Sequence, residues 1–143
     1  MGTITIINLK GLSFPQHAGV YVGRANQTYG LKKSPFANPF RLERDTPEDR
    51  ATVYAEYKDW LWKQIKKHRD NGLHDITFEL NKLAAAARDN DIRLSCWCTP
   101  KLCHARAVAL AIRYVQRQRH WPVSEIIVAG AEQSQPEQVG LFE

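Results

Sequence analysis

Ile92-Arg93-Leu94-Ser95-Cys96-Trp97-Cys98-Thr99-Pro100-Lys101-Leu102-Cys103-His104 is the stretch on which the fold turns. Ile92 to Cys98 reads as a strand that follows a helix. Thr99-Pro100 then repeats the cap-plus-proline signature of a helix start. The expected helix runs from about Pro100 to Arg119, with Leu102, Ala105, Val108, Ala109, Ile112 and Val115 as its apolar positions. Trp121-Pro122 breaks it, and Glu125 to Gly130 supplies a last strand.

Upstream, Thr46-Pro47-Glu48-Asp49 starts a helix in the same way, with Thr46 as N-cap and acids in the first turn. Val53, Tyr57, Trp60, Leu61, Gln64 and Ile65 fall near one face of it, and Asn71-Gly72 ends it. Lys58, Lys63, Lys66, Lys67 and Arg69 lie mostly elsewhere. Asp75 caps a second helix, Ile76 to Asp89, that turns Leu80, Leu83, Ala84 and Ala87 inward. Thr3 to Leu9 and Val20 to Gly23 read as strands, Gly11 to Gly19 as a loop. Arg24 to Arg44, with Gly30, Pro35 and Pro39, reads as a long ordered loop, a kind of segment that is often functional.

Strands alternating with helices predict an α/β fold: a small Rossmann-like, mostly parallel sheet flanked by helices, in a single domain over residues 1–130. Residues 131–143 form a polar, Gln-rich tail. The length of 143 residues suits one domain with one core. No apolar run is long enough to span a membrane. The first residues lack a basic leader, so a cytoplasmic location with no membrane partner is expected. A net charge of +5 admits a phosphate-bearing small molecule or a nucleic acid as partner.

In parallel sheets, ligands sit beyond the carboxyl ends of strands, and Cys98 ends the strand expected here. The chain's three cysteines lie within eight residues, a poor disulfide framework. Cys96 and Cys98 point to one side of the strand and Trp97 to the other, where it reads as core rather than as a base-stacking platform. Cys103 and His104 open the next helix, whose free N–H groups favour an anion and an ionised thiol. Three readings follow. Cys98, Cys103 and His104 form a catalytic group beside a phosphate cradle. Alternatively Cys96, Cys98, Cys103 and His104 form a set that zinc accepts, although neighbours Cys103 and His104 project about 100° apart on a helix, so no bound cofactor is expected. The third reading is packing, with cysteines as small hydrophobes.

Arg24 follows a strand end directly and suits bidentate phosphate or carboxylate contact. Asn26 and Asn38, with Cys96 and Thr99, join it as expected substrate-binding residues. The structural alternative is an Asx turn at Asn38 and a solvated Arg24. Phe36 and Phe40 pin this loop to the core. The chain has no phosphate-binding loop, no dinucleotide fingerprint and no zinc-deaminase signature.

Val20-Tyr21-Val22-Gly23-Arg24, Asn38-Pro39-Phe40, the helix bearing Trp60, and Leu94 to Cys98 with Pro100 and Cys103-His104-Ala105 together resemble the uncharacterised family known as domain of unknown function 4326. The resemblance covers about residues 20 to 115. It implies phage and bacterial genomes and nucleotide-handling contexts. The chain is similar, more faintly, to a second uncharacterised family with a strand followed by Cys, Pro and Cys-His-Arg; here Ala105 takes the place of that arginine and Arg106 is adjacent. The combined expectation is a hydrolase- or transferase-like enzyme of nucleotide or nucleic-acid metabolism. The alternative is a nucleotide- or nucleic-acid-binding module without turnover, whose basic face is carried by Lys58, Lys63, Lys66, Lys67 and Arg69 or by Arg106, Arg113, Arg117 and Arg119. In the tail, Gln138, Leu141 and Phe142 resemble the Gln-x-x-Leu-Phe peptide by which bacterial proteins dock on the DNA sliding clamp. The alternative for Leu141 and Phe142 is folding back on the domain.

Overall fold

The computed structural model describes residues 2–10, 19–98 and 101–130. The expectations placed on residues 11–18, on Thr99 and Pro100, and on Gln138, Leu141 and Phe142 of the tail lie outside the described residues.

Four parallel strands form one sheet in the order β2-β3-β1-β4: β1 (Thr3–Asn8), β2 (Val20–Tyr21), β3 (Ile92–Cys96) and β4 (Glu125–Val128). Three helices accompany it: α1 (Pro47–Lys67), α2 (Asp75–Asp89) and α3 (His104–Gln118). The described residues thus form a single small α/β domain with a parallel sheet. Ile4 lies in register between Ile92 and Ile126, and Ile6 between Leu94 and Val128. Side chains alternate along a strand, so these residues share one face. Ile4, Ile6 and Leu94 are fully buried there against Tyr57 and Leu61 of α1, Leu80 and Leu83 of α2, and Ile112 of α3. All three helices also pack on one another. They form one layer over that face rather than covering both. On the opposite face Arg93 is exposed and Ile127 is 41% exposed.

Local chemistry sets the helix ends. Thr46 Oγ1 accepts the Asp49 N–H at 3.2 Å, with Pro47 at the first helical position. At α2 the capping residue is His74 rather than Asp75: His74 Nδ1 accepts the Ile76 N–H at 3.3 Å, and Asp75 becomes the first helical residue, where its charge complements the dipole. Lys58, expected mostly outward, is 9% exposed.

The junction after β3 differs most from expectation. The strand ends at Cys96, not Cys98, and Trp97 and Cys98 lie in a bend. The Cys98 carbonyl accepts the Lys101 N–H at 3.0 Å, and Cys103 is extended at φ −139°, ψ 151°. The chain therefore spends a turn and an extended residue before it winds, so α3 starts at His104 instead of Pro100. At the opposite end of α3, Gln116 is fully buried. Its amide donates to the Ala84 carbonyl (3.2 Å) and to Ser124 Oγ (2.8 Å) and accepts the Ser124 N–H (2.9 Å), tying α2, α3 and the approach to β4 together. Among the described residues no helix is long and apolar enough to cross a membrane.

Candidate functional site

Because β2 and β3 are parallel neighbours, their carboxyl ends deliver Tyr21 to Gly23 and Cys96 to Cys98 to the same edge of the sheet. A cavity of about 300 Å³ opens there. Its strand-side wall is Cys96, Trp97 and Cys98, continued by Leu102, Cys103 and His104 at the start of α3. The long loop supplies Arg24, Asn26, Asn38, Phe40 and Leu42, and α1 supplies Arg50, Val53 and Tyr54. The structure brings the expected residues Arg24, Asn26, Asn38, Cys96, Cys98, Cys103 and His104 around one cavity. Arg50 and Tyr54 are additions. The helix-start motif at Thr46-Pro47 placed Arg50 in the first turns of α1, but only packing carries it to Cys98.

The Cys103 thiol neighbours both Cys96 and Cys98 and interacts electrostatically with each. Cys96 and Cys103 are buried, whereas Cys98 is half-buried and meets the Arg50 guanidinium. The neighbouring Cys103 thiol and then Arg50 hold Cys98 down to a pKa of about 6, against a burial effect that opposes them. Cys103 moves the other way, raised by Cys96 and Cys98 and by burial. The charge therefore settles on Cys98 and the proton on Cys103. A neighbouring arginine is a setting in which cysteine becomes nucleophilic.

Arg50 is itself anchored. It ion-pairs with Asp45, which also takes Lys101 Nζ at 2.9 Å, and its Nη1 donates to the Leu102 carbonyl at 3.2 Å. Arg50, then Lys101, hold the Asp45 carboxyl down to about 2. The guanidinium is thereby aimed from α1 across to the bend that holds Cys98.

His104 Nε2 lies 2.7 Å from the Val22 carbonyl oxygen, which can only accept, so Nε2 carries the ring proton. Nδ1 is left as an acceptor, 3.6 Å from Cys103 Sγ. Burial lowers the His104 pKa and favours the neutral ring. The Tyr57 ring packs edge-on against it at 5.0 Å, and the Tyr57 hydroxyl donates to the Phe36 carbonyl at 2.7 Å. Cys103 thus stands between two acceptors, the Cys98 sulfur and His104 Nδ1.

The loop residues are bound mainly to the loop. Arg24 Nε donates to the Asn38 carbonyl at 2.9 Å and Nη2 to the Phe40 carbonyl at 2.7 Å. Asn38 Oδ1 accepts the Phe40 N–H at 2.9 Å, an Asx turn. Gly23 leaves room beside it: a Cβ there would fall 2.3 Å from the Tyr21 hydroxyl. That hydroxyl donates to the Arg24 carbonyl at 2.7 Å and accepts the Trp97 indole N–H at 3.0 Å. Trp97 meets the ring of Tyr29 at 5.3 Å as well as lining the cavity. Among the described residues no group of three or more His, Cys, Asp or Glu side chains is disposed to hold a metal ion. The described lining contains two arginines and no carboxylate.

A parallel α/β domain whose cysteines and histidine meet at a strand-to-helix junction is the class that this architecture defines. The chain belongs to the family described as Domain of unknown function (DUF4326), whose model matches residues 7–114. That segment includes every described residue lining the cavity. No curated protein and no solved structure matches the chain.

Proposed function

We propose that the cavity is the active site of a hydrolase- or transferase-like enzyme acting on a nucleotide or a nucleic-acid end, with Cys98 as nucleophile. The observation that carries this reading is the Cys98 sulfur set between Arg50 and the Cys103 thiol in a cavity with no carboxylate in its described lining. Among the described lining groups the thiolate is the strongest nucleophile at neutral pH. Arginine favours anions, and Phe40, Tyr54 and Trp97 offer apolar wall for a planar base. The volume is at the low end of the range for small-ligand sites, about 300–1,000 Å³.

In the first step the thiolate attacks the electrophilic centre; the new bond to Cys98 Sγ forms as the bond to the leaving group breaks. The Cys103 proton goes to the leaving group, and Arg50 faces the charge that develops. In the second step water or an acceptor alcohol attacks the adduct, its proton returns to Cys103, and Cys98 leaves as thiolate. His104, locked on Val22, holds Cys103 in place through Nδ1. The test is a panel of nucleotides and short oligonucleotides with wild type and Cys98→Ser. Turnover lost in the variant, with a wild-type adduct on the Cys98 peptide by mass spectrometry, is expected. Undiminished turnover in Cys98→Ser would refute the role.

A second reading, a nucleotide- or nucleic-acid-binding module without turnover, is favoured by the bonds of Arg24 and Asn38 to their own loop. It requires that no member of the panel be turned over while binding remains saturable.

A further inference from the structure

α1 and α3 run side by side in the same direction. Tyr57, midway along α1, meets His104 at the start of α3, and Trp62 meets Tyr114 further along both, edge-on at 5.2 Å. Both helices begin at the cavity, through Arg50, Val53 and Tyr54 on one and Cys103 and His104 at the other. The seam between them is basic. α3 contains Arg106, Arg113 and Arg117 and not one acidic residue. At about 100° per residue these arginines fall within roughly 40° of one another, a single stripe. On α1, Tyr54, Lys58, Trp62 and Lys66 follow at intervals of four. Glu56 projects about 160° from Lys58, and Asp59 is occupied by Lys63 at 2.8 Å.

Lys58 and Arg106 are drawn in from solvent, while Lys66 stays exposed. Lys58 is 9% exposed, with its ammonium 5.3 Å from the Tyr54 ring centre. Lys66 lies 5.6 Å from the Trp62 ring centre. Arg106 is half-buried and near enough to act on both Tyr54 and Lys58. Lys58, Lys66 and Arg106 take part in no ion pair among the described residues. Bringing half-buried like charges together without acids is unfavourable, and an anion laid along them relieves it. The seam ends in a second hollow of about 280 Å³ lined by Ile65, Arg69, Tyr114 and Arg119 among others.

We infer that the α1–α3 seam is a track for single-stranded nucleic acid, with the phosphate chain on Lys58, Lys66 and Arg106 and bases against Tyr54 and Trp62, and that it leads a strand end into the cavity. Alternating cations and aromatic rings are what a strand without sequence preference requires. From Tyr54 to Arg69 the track is about 22 Å long, room for about six phosphates at the 3.4 Å spacing of a stacked strand. This rests on the active-site reading only for the direction in which the strand runs. It selects a nucleic-acid end over a free nucleotide as substrate.

The experiment is fluorescence anisotropy with labelled 12-residue single strands of DNA and RNA, the matching duplex, and poly-glutamate as competitor, over a salt series. The proteins are wild type, Lys66→Gln/Arg106→Gln, the same pair with Lys58→Gln, and Cys98→Ser, each checked for folding by circular dichroism. Removing three phosphate contacts lowers the salt slope by about 2, at about 0.7 per contact for single strands. Binding at low salt should weaken about tenfold or more in the double variant, which spares the buried lysine. Cys98→Ser should bind like wild type, so a dead active site and a dead track are told apart. Equal binding by wild type and double variant, a preference for duplex, displacement by poly-glutamate as effective as by a single strand, or no binding by any protein overturns the proposal.

Discussion

Replacing Cys103 with alanine should shift the titration of Cys98 more than any other single change. Cys98 is held near 6 against an ordinary 9.0, and its largest support is the Cys103 thiol, with Arg50 next. A group held low in this way is ionised above its folded pKa; as pH falls through about 6 it is protonated. In Cys103→Ala the Arg50 contact persists, so the midpoint should rise part of the way toward 9.0. A rise of one unit would take the thiolate at pH 7 from about nine-tenths to about half. The rate at one pH is a poor reporter, because intrinsic nucleophilicity climbs about threefold per unit of pKa and offsets the lost thiolate. The proper assay is the pH profile of iodoacetamide alkylation from pH 4.5 to 9.5, read by mass spectrometry on the Cys98 peptide. Cys96 is fully buried and Cys103 only 4% exposed, so the fast-reacting thiol is Cys98. Arg50→Gln should raise the midpoint as well. A wild-type midpoint near 8.5, or one that stays near 6 in both variants, would refute the reasoning.

Two further outcomes follow from packing. Gln116→Leu removes the acceptor of the buried Ser124 N–H while keeping the volume, whereas the Ala84 carbonyl keeps its own helical bond; it should destabilise the fold by about 1–3 kcal/mol in urea unfolding, the cost of one orphaned buried group. Gly23→Ala pushes the Tyr21 hydroxyl off its bonds to Arg24 and Trp97; nucleotide binding at the cavity should weaken severalfold while the unfolding midpoint moves little, and unchanged binding would show that this corner does not shape the site.

Much of this was legible in the residues. Thr46-Pro47 located the start of α1, and the spacing of Leu80, Leu83, Ala84 and Ala87 gave the inner face of α2, because caps and periodicity are local properties. The Cys-rich junction points to the edge of the sheet where the cavity opens. What stayed hidden is tertiary. Arg50 stands 48 positions before Cys98, and nothing in its neighbours marks it as a partner for a thiol. Thr99-Pro100 promised a helix start that Cys103 provides instead, without any side-chain cap bond. Residue type alone suits Arg24 and Asn38 to a ligand, yet both are bonded within the loop, since an arginine near free carbonyls has a partner already at hand. Charge alone puts Lys58 outward, but the residue is 9% exposed and its ammonium lies near the Tyr54 ring.

The central position of β1 also bears on biosynthesis. The first strand of the described sheet in chain order, Thr3–Asn8, pairs on one side with β3, 88 residues later in register, and on the other with β4, 122 residues later. At about 5–20 residues per second, a ribosome needs about 4–18 s to deliver the first of these partners. Throughout that interval Ile4, Ile6 and Ile7 wait for both of their partner strands in the described sheet, while α1 and α2, built from local contacts, can form behind them. The sheet is therefore assembled late and almost at once, and a nascent chain halted before Ile92 presents an unpaired apolar strand to any chaperone or neighbouring polysome product that meets it.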